Sequence, residues 1–163
     1  MIAGECVDVT SAVAVVRAGG EYRLVANRPA VAGELLFTIE GELTATPNRY
    51  TVQIGHDVHV DVPAEFGFEA ILDQFFWRFM NHSCEPTVFI RDRSVIALKP
   101  VVFGQDITFN YNTTEFDMAE PFACQCGTDR CIGRIQGYRH LSDEDRQRLR
   151  PWLADHLSCS GAR

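Results

Sequence analysis

Up to about residue 112 the chain is a succession of short apolar runs cut by glycine, proline and asparagine. The runs Tyr22–Ala26, Glu34–Ile39, Tyr50–Ile54, Val58–Val62, Thr87–Arg91, Val95–Leu98 and Asp106–Phe109 are four to six residues long. They are rich in β-branched and aromatic side chains and too short for helices, so each is predicted as a strand. The apolar start Met1–Val16 is interrupted by Glu5 and Asp8 and has no basic region before it, which suits a first strand better than a signal peptide. Gly19-Gly20, Gly33, Pro47-Asn48 and Phe103-Gly104-Gln105 mark turns. Phe75–Met80 fits a short helix. Past Thr113 the pattern changes: Thr113–Arg134 is cysteine-rich and loop-like, and the end is helical. Ser142 with Asp145 three residues on resembles a capping box, with Asp143 and Glu144 suited to a helix N-terminus. Pro151 should break that helix, while Trp152, Leu153 and Leu157 continue an apolar face.

At 163 residues, 46% of them apolar, the chain suits one compact domain with a small C-terminal appendage. No run approaches the ~18 apolar residues that span a bilayer, so an intracellular protein without a membrane partner is expected, cytoplasmic or, in a eukaryote, nuclear. A net charge of −7 argues against a general nucleic-acid binder. It is compatible with a basic partner such as a lysine-rich protein tail, and equally with ordinary solubility charge. Of the six cysteines, Cys124, Cys126 and Cys131 crowd into eight residues, which suits a metal better than disulfides in a chain with no export signal. Gly127 permits the turn that points Cys124 and Cys126 at one ion. Structural zinc wants four ligands, and spacing alone leaves the fourth open, with Cys159 and His140 among the alternatives. Cys6 has no assigned role.

Three segments then carry the chemistry: Arg78-Phe79-Met80-Asn81-His82-Ser83-Cys84, the run Asp106-Ile107-Thr108-Phe109-Asn110-Tyr111, and Cys124-Gln125-Cys126-Gly127 followed by Cys131. In order and spacing they resemble the signature segments of the SET domain, the protein-lysine methyltransferase fold, and its post-SET motif. The resemblance covers roughly residues 13–135. Leu24-Val25-Ala26, Gly33, Leu35–Ile39 and Gly41-Glu42-Leu43 fall into the family's pattern without a gap. Glu21-Tyr22-Arg23 stands where members usually carry Gly-x-Gly, Ile39 where many carry a channel tyrosine, Asn110 for the usual aspartate, and Thr87 for the asparagine after Cys-x-Pro.

The resemblance implies a mainly β fold with short helices, in which small sheets surround a pseudoknot. It implies a SET domain over 13–112, a zinc-bound post-SET segment over 113–135 and a helical extension over 136–163. The implied activity is methyl transfer from S-adenosylmethionine to a lysine of a protein or peptide. Asn81 and His82 would hold the cofactor, with Tyr22 and Arg23 beside it and Arg23 a candidate for its carboxylate. Tyr111 would be catalytic and also touch the cofactor, its hydroxyl orienting methyl and amine. Phe109, Tyr50 and Ile39 would line the lysine channel, and phenylalanine at 109 implies room for di- or trimethylation. Cys84 would complete the zinc site with Cys124, Cys126 and Cys131. The alternative is a catalytically weak SET-like module that binds a protein partner, with or without cofactor.

Overall fold

A computed structural model describes residues 11–158. Cys6, Cys159 and most of Met1–Val16 lie outside the described residues. The chain opens on the hairpin β1 (Val13–Ala18) and β2 (Glu21–Ala26), turned through Gly19-Gly20 with Val13 opposite Ala26. Next come β3 (Leu35–Thr38), β4 (Glu42–Thr44), β5 (Val52–Gly55) and β6 (Val58–Asp61), of which the last three form a sheet in the order β4-β6-β5. Helix α1 (Phe68–Gln74) and a 3-10 turn, Phe76–Phe79, lead to the short strand β7 (Asn81–His82). The hairpin β8 (Val88–Arg91) and β9 (Ser94–Ala97) joins β3 in a second three-stranded sheet, and β10 (Thr108–Phe109) follows. Beyond it lie the pair β11 (Phe122–Ala123) and β12 (Arg134–Ile135), then α2 (Asp143–Leu149) and α3 (Asp155–Ser158). Among the described residues no helix is long and apolar enough to cross a membrane.

The strand alternation builds one main core, in which Leu24, Ile39, Val60, Trp77, Ile90 and Val95 are all almost fully buried. Trp77 keeps its indole satisfied there by donating to the Glu40 carbonyl at 2.8 Å. A second, smaller cluster of Leu141, Leu149, Leu153 and Leu157 lies under the C-terminal helices, packed by Ile132 and Tyr138. Ser142 caps α2, its Oγ accepting from the Asp145 N–H at 3.1 Å, and Pro151 sits in a 3-10 turn that ends that helix.

Besides the two-residue strands β7, β11 and β12, the elements β4 and α1 were not expected. β4 carries an exposed Leu43, and α1 buries only Ile71, so neither has the apolar alternation or stripe by which a short element announces itself. The expected strand over Asp106–Phe109 shortens to two residues. Asp106 instead forms an isolated bridge with Val25, and its carbonyl accepts from the Thr87 hydroxyl.

After β10 the chain enters the interior as a polar run. Asn110, Asn112, Thr113 and Thr114 are all buried, and each finds partners. Asn110 Oδ1 accepts from the Asn112 N–H at 3.1 Å, Thr113 Oγ1 donates to the Asn110 carbonyl at 2.6 Å, and Asn112 Oδ1 accepts from the Gly137 N–H at 3.0 Å. Gly137 has φ +108, and a Cβ there would stand 2.7 Å from the Phe116 carbonyl oxygen, so only glycine brings the two segments this close. This ladder fixes the segment that carries Tyr111.

Candidate active site

β7 and β10 lie side by side in parallel, with Thr108 opposite Asn81 and Phe109 opposite His82. Parallel strands need a crossover, and here β8 and β9 supply it. The pairing brings together the two motifs that stand some twenty-five residues apart in sequence. Tyr111 leaves β10 against His82: its N–H donates to His82 Nδ1 at 3.1 Å, and its hydroxyl donates to the Met80 carbonyl at 2.7 Å. With Nδ1 accepting, a neutral His82 carries its proton on Nε2, which lies 3.4 Å from Cys84 Sγ. Burial pushes the His82 imidazolium down to about 4, so the ring is neutral at physiological pH. Burial also lifts the Tyr111 phenol above its ordinary range, helped by the Glu115 charge and opposed by Arg49, so Tyr111 remains a hydroxyl. Its ring is held by Phe109 at 4.6 Å, His82 at 5.2 Å and Phe122 at 5.9 Å between centroids.

These groups face a cavity of about 840 Å³. Its walls include Tyr50, Asn81, His82, Phe109 and Tyr111, together with Cys124 and Cys126 of the thiol cluster. Three other expected residues stand elsewhere. Ile39 is fully buried in the main core and does not reach the cavity. Arg23 is drawn to Asp106, its Nη1 lying 2.9 and 3.0 Å from the two carboxylate oxygens, and it too is off the wall. Tyr22 packs against Phe68 and Phe79 at 5.3 and 5.5 Å. Glu21, at the start of β2, lines the cavity; alternation turns Tyr22 to the opposite face, and Asp106 draws the Arg23 side chain away.

Cys84, Cys124, Cys126 and Cys131 converge with all four sulfurs within 4.8 Å of one another, and Cys84 Sγ lies 3.9 Å from Cys124 Sγ. Zinc–sulfur bonds of ~2.3 Å in a tetrahedron set sulfur–sulfur edges of about 3.8 Å, so the four thiols can hold such an ion. Gly127 makes the turn between them with φ +68. Burial pushes the Cys84 thiol well up, a cost that a bound cation would reverse. At Cys126 burial acts the same way, but the Thr128 hydroxyl at 3.3 Å and backbone groups of Cys84 and Thr128 outweigh it, holding that thiol at about 6. His140, weighed as a ligand from sequence, is paired with Asp117 at 2.9 Å.

The cavity also recruits residues that had no role assigned from sequence. Phe122 sets its edge against both His82 and Tyr111. Arg78 stacks 3.9 Å over the Tyr50 ring, and Glu115 stands on the wall although it is almost fully buried. Phe122 lies two residues before Cys124, and that nearness to a thiol cluster was its only signal. Glu115 had none, because an acidic residue in a polar, cysteine-rich stretch looks like a solvated loop position.

The chain matches the SET domain family over residues 21–112, more than half its length, and it belongs to that family. It is 30% identical over 132 residues to "Methyltransferase flvH" of Aspergillus flavus, a match covering 77% of this chain and 66% of the relative. Over 92 residues it is 34% identical to "Histone-lysine N-methyltransferase ash1" of Drosophila melanogaster, covering 52% of this chain and 4% of that protein. Over 131 residues it is 27% identical to "Histone-lysine N-methyltransferase, H3 lysine-36 specific" of Yarrowia lipolytica, covering 71% and 17%. The fold is also that of solved structures of KRYPTONITE. One, in complex with mCHG DNA and SAH, superposes with a TM-score of 0.57 at 22% identity over 76% of this chain and 28% of that one. Another, with mCHH DNA, an H3(1-15) peptide and SAH, gives 0.54 at 21% identity over 76% and 29%. The chain thus spans at most 66% of the length of these relatives.

Proposed function

We propose that the chain is a protein-lysine N-methyltransferase that takes its methyl group from S-adenosylmethionine. The observation that carries the reading is the parallel pairing of β7 with β10, which sets Asn81, His82 and Tyr111 on one cavity wall. About 840 Å³ falls within the range of small-molecule and cofactor clefts, so the cavity has room for such a group. The relatives named as histone-lysine methyltransferases and the SAH in the solved neighbours point the same way.

S-adenosylmethionine, when bound, supplies a methyl on a positively charged sulfur. In this reading Asn81 holds it by its side chain and His82 by its backbone, with Phe122 closing the ring side. Tyr111 positions rather than abstracts. Its proton is committed to the Met80 carbonyl, which leaves Oη lone pairs to accept from the methyl and the incoming amine and to align them for in-line displacement. Tyr50 and Phe109 form apolar wall for a lysine stem. Zinc on Cys84, Cys124, Cys126 and Cys131 would tie the Cys124–Cys131 loop to the turn after β7, ordering a stretch with little apolar surface of its own.

The substrate is read as a lysine-bearing protein or peptide with a basic surroundings, complementary to the net charge of −7. The KRYPTONITE complexes contain DNA, but this chain matches under a third of that protein, and its own charge favours a basic partner.

Transfer of tritiated methyl to basic proteins, comparing the wild type with Tyr111→Phe, tests the proposal. Loss of the hydroxyl is expected to cut the rate about 100-fold or more, and equal rates would contradict the assignment. Glu21-Tyr22-Arg23 in place of Gly-x-Gly, and an aliphatic Ile39, favour a second reading as a binding module. Calorimetry with S-adenosylhomocysteine separates the readings in part: no binding favours the interaction module, and binding without transfer marks a dead enzyme.

A further inference from the structure

Glu115 is the sole buried carboxylate among the described residues, and it stands on the wall of the same cavity as Tyr111. Its two oxygens are treated differently. Oε1 accepts from the Gln53 N–H of β5 at 2.7 Å and from the Thr114 hydroxyl at 3.3 Å. Among the described residues Oε2 accepts no hydrogen bond, and His59 Nε2 of β6 stands 3.7 Å from it, within ion-pair distance. A carboxylate that served only to staple β5 to the segment after Tyr111 would need Oε1 alone.

Resting on the methyltransferase reading above, we propose that Glu115 Oε2 is the base that takes the proton from the substrate ammonium before methyl transfer. The step balances without a further reactant. The N–H bond of R–NH3⁺ breaks and the O–H bond of Glu115 forms. The freed electron pair of the amine then attacks the methyl carbon, and the carbon–sulfur pair leaves on sulfur. The product is a methylammonium, and the Glu115 proton returns to solvent between turnovers.

The surroundings suit the role. Burial lifts the Glu115 carboxyl to about 7 against the pull of the Gln53 N–H and the Thr114 hydroxyl, so near neutrality it can both accept and release a proton. The cations facing it do not cancel its charge. Burial and the neighbouring His156 hold His59 below the ordinary imidazole range, with Asp57 opposing. His156 of α3, bonded to the Thr114 carbonyl, is also held down by burial. Across the cavity stand Arg49 and Arg78, the latter over Tyr50, and the exposed Glu21 and Glu120. Tyr111 is a neutral hydroxyl.

The test is the pH profile of kcat/KM for methyl transfer by the wild type, Glu115→Gln and Glu115→Asp, with S-adenosylhomocysteine binding measured on each. For the wild type, a plateau is expected from about pH 7.5 to about pH 9.5, between the Glu115 value and that of a free lysine near ~10.4. Glu115→Gln should be about 100-fold slower at pH 7.5 and climb with unit slope, the gap closing toward pH 10. Glu115→Asp should restore part of the plateau. A Glu115→Gln profile parallel to the wild type, or a loss equal at every pH, overturns the proposal. If Glu115→Gln no longer binds S-adenosylhomocysteine, Glu115→Asp decides alone: its acid limb must move, and an unmoved limb overturns the assignment. No turnover by the wild type itself would instead fail the methyltransferase reading.

Discussion

Phe109 and Tyr111 lie two residues apart with their ring centroids 4.6 Å from each other, both on the cavity wall. A hydroxyl added at 109 would fill apolar space beside Tyr111 and offer a hydrogen bond to an amine already carrying one methyl. Phe109→Tyr is therefore expected to shift products from di- and trimethyl-lysine toward monomethyl-lysine, read by mass spectrometry of the modified peptide; an unchanged distribution would contradict a channel role for Phe109. Glu115 makes a separate prediction about stability. Its folded-state value is raised from 4.5 to about 7, so the unfolded chain gives up this proton first as pH rises. The group costs nothing below pH 4.5, and the cost grows to roughly 3 kcal/mol above pH 7. Glu115→Gln should thus melt above the wild type at pH 8, with the difference shrinking toward pH 5; a difference independent of pH would contradict the burial argument. Tyr111 and His82 stand out in the sequence because each sits in a short motif of fixed spacing. Glu115 does not, because its place on the cavity wall depends on being buried, and nothing in Thr113-Thr114-Glu115-Phe116 signals burial. Arg23 misled for the opposite reason: a cation beside a glycine-poor loop suggests an anion ligand, but Asp106, distant in sequence, already faces it.

At the level of elements, most strands were legible from their β-branched runs, while β4 and α1 bury too little to leave a pattern. The pairing of β7 with β10 was beyond periodicity altogether, since a two-residue strand has none. Family resemblance implied only small sheets around a pseudoknot, and the structure shows how the segment after β10 is held: by the buried Asn110–Thr114 ladder and by the close approach at Gly137. Gly137→Ala should push Phe116 away and strain a positive φ, loosening the segment that carries Tyr111 and Glu115; faster amide exchange over residues 112–118 is the expected readout, and unchanged exchange would contradict it. The thiol cluster belongs to this scale as well. Removing the metal by a chelator, or Cys131→Ser, is expected to expose the stretch between Tyr111 and β12 to proteolysis and to release one zinc per chain by elemental analysis. A protein that contains no zinc as purified, yet resists proteolysis there, would contradict a metal staple.

For the whole molecule, the family match covers residues 21–112, and the segment beyond it adds to the cavity wall, with Glu115, Met118, Phe122 and the thiols Cys124 and Cys126 among its lining. The cleft is therefore completed by chain outside the family match, so activity is expected to depend on both. A net charge of −7 favours basic substrates, and transfer should weaken as salt is raised. The central claim is that this cleft methylates lysine in a protein. Its most direct test is to incubate the wild type with methyl-labelled S-adenosylmethionine and lysine-rich proteins, hydrolyse the products and identify the labelled amino acid. Label recovered as N-methylated lysine, and absent with Tyr111→Phe, is the predicted result. Label in no amino acid, or the same methyl-lysine yield from Tyr111→Phe, would contradict it.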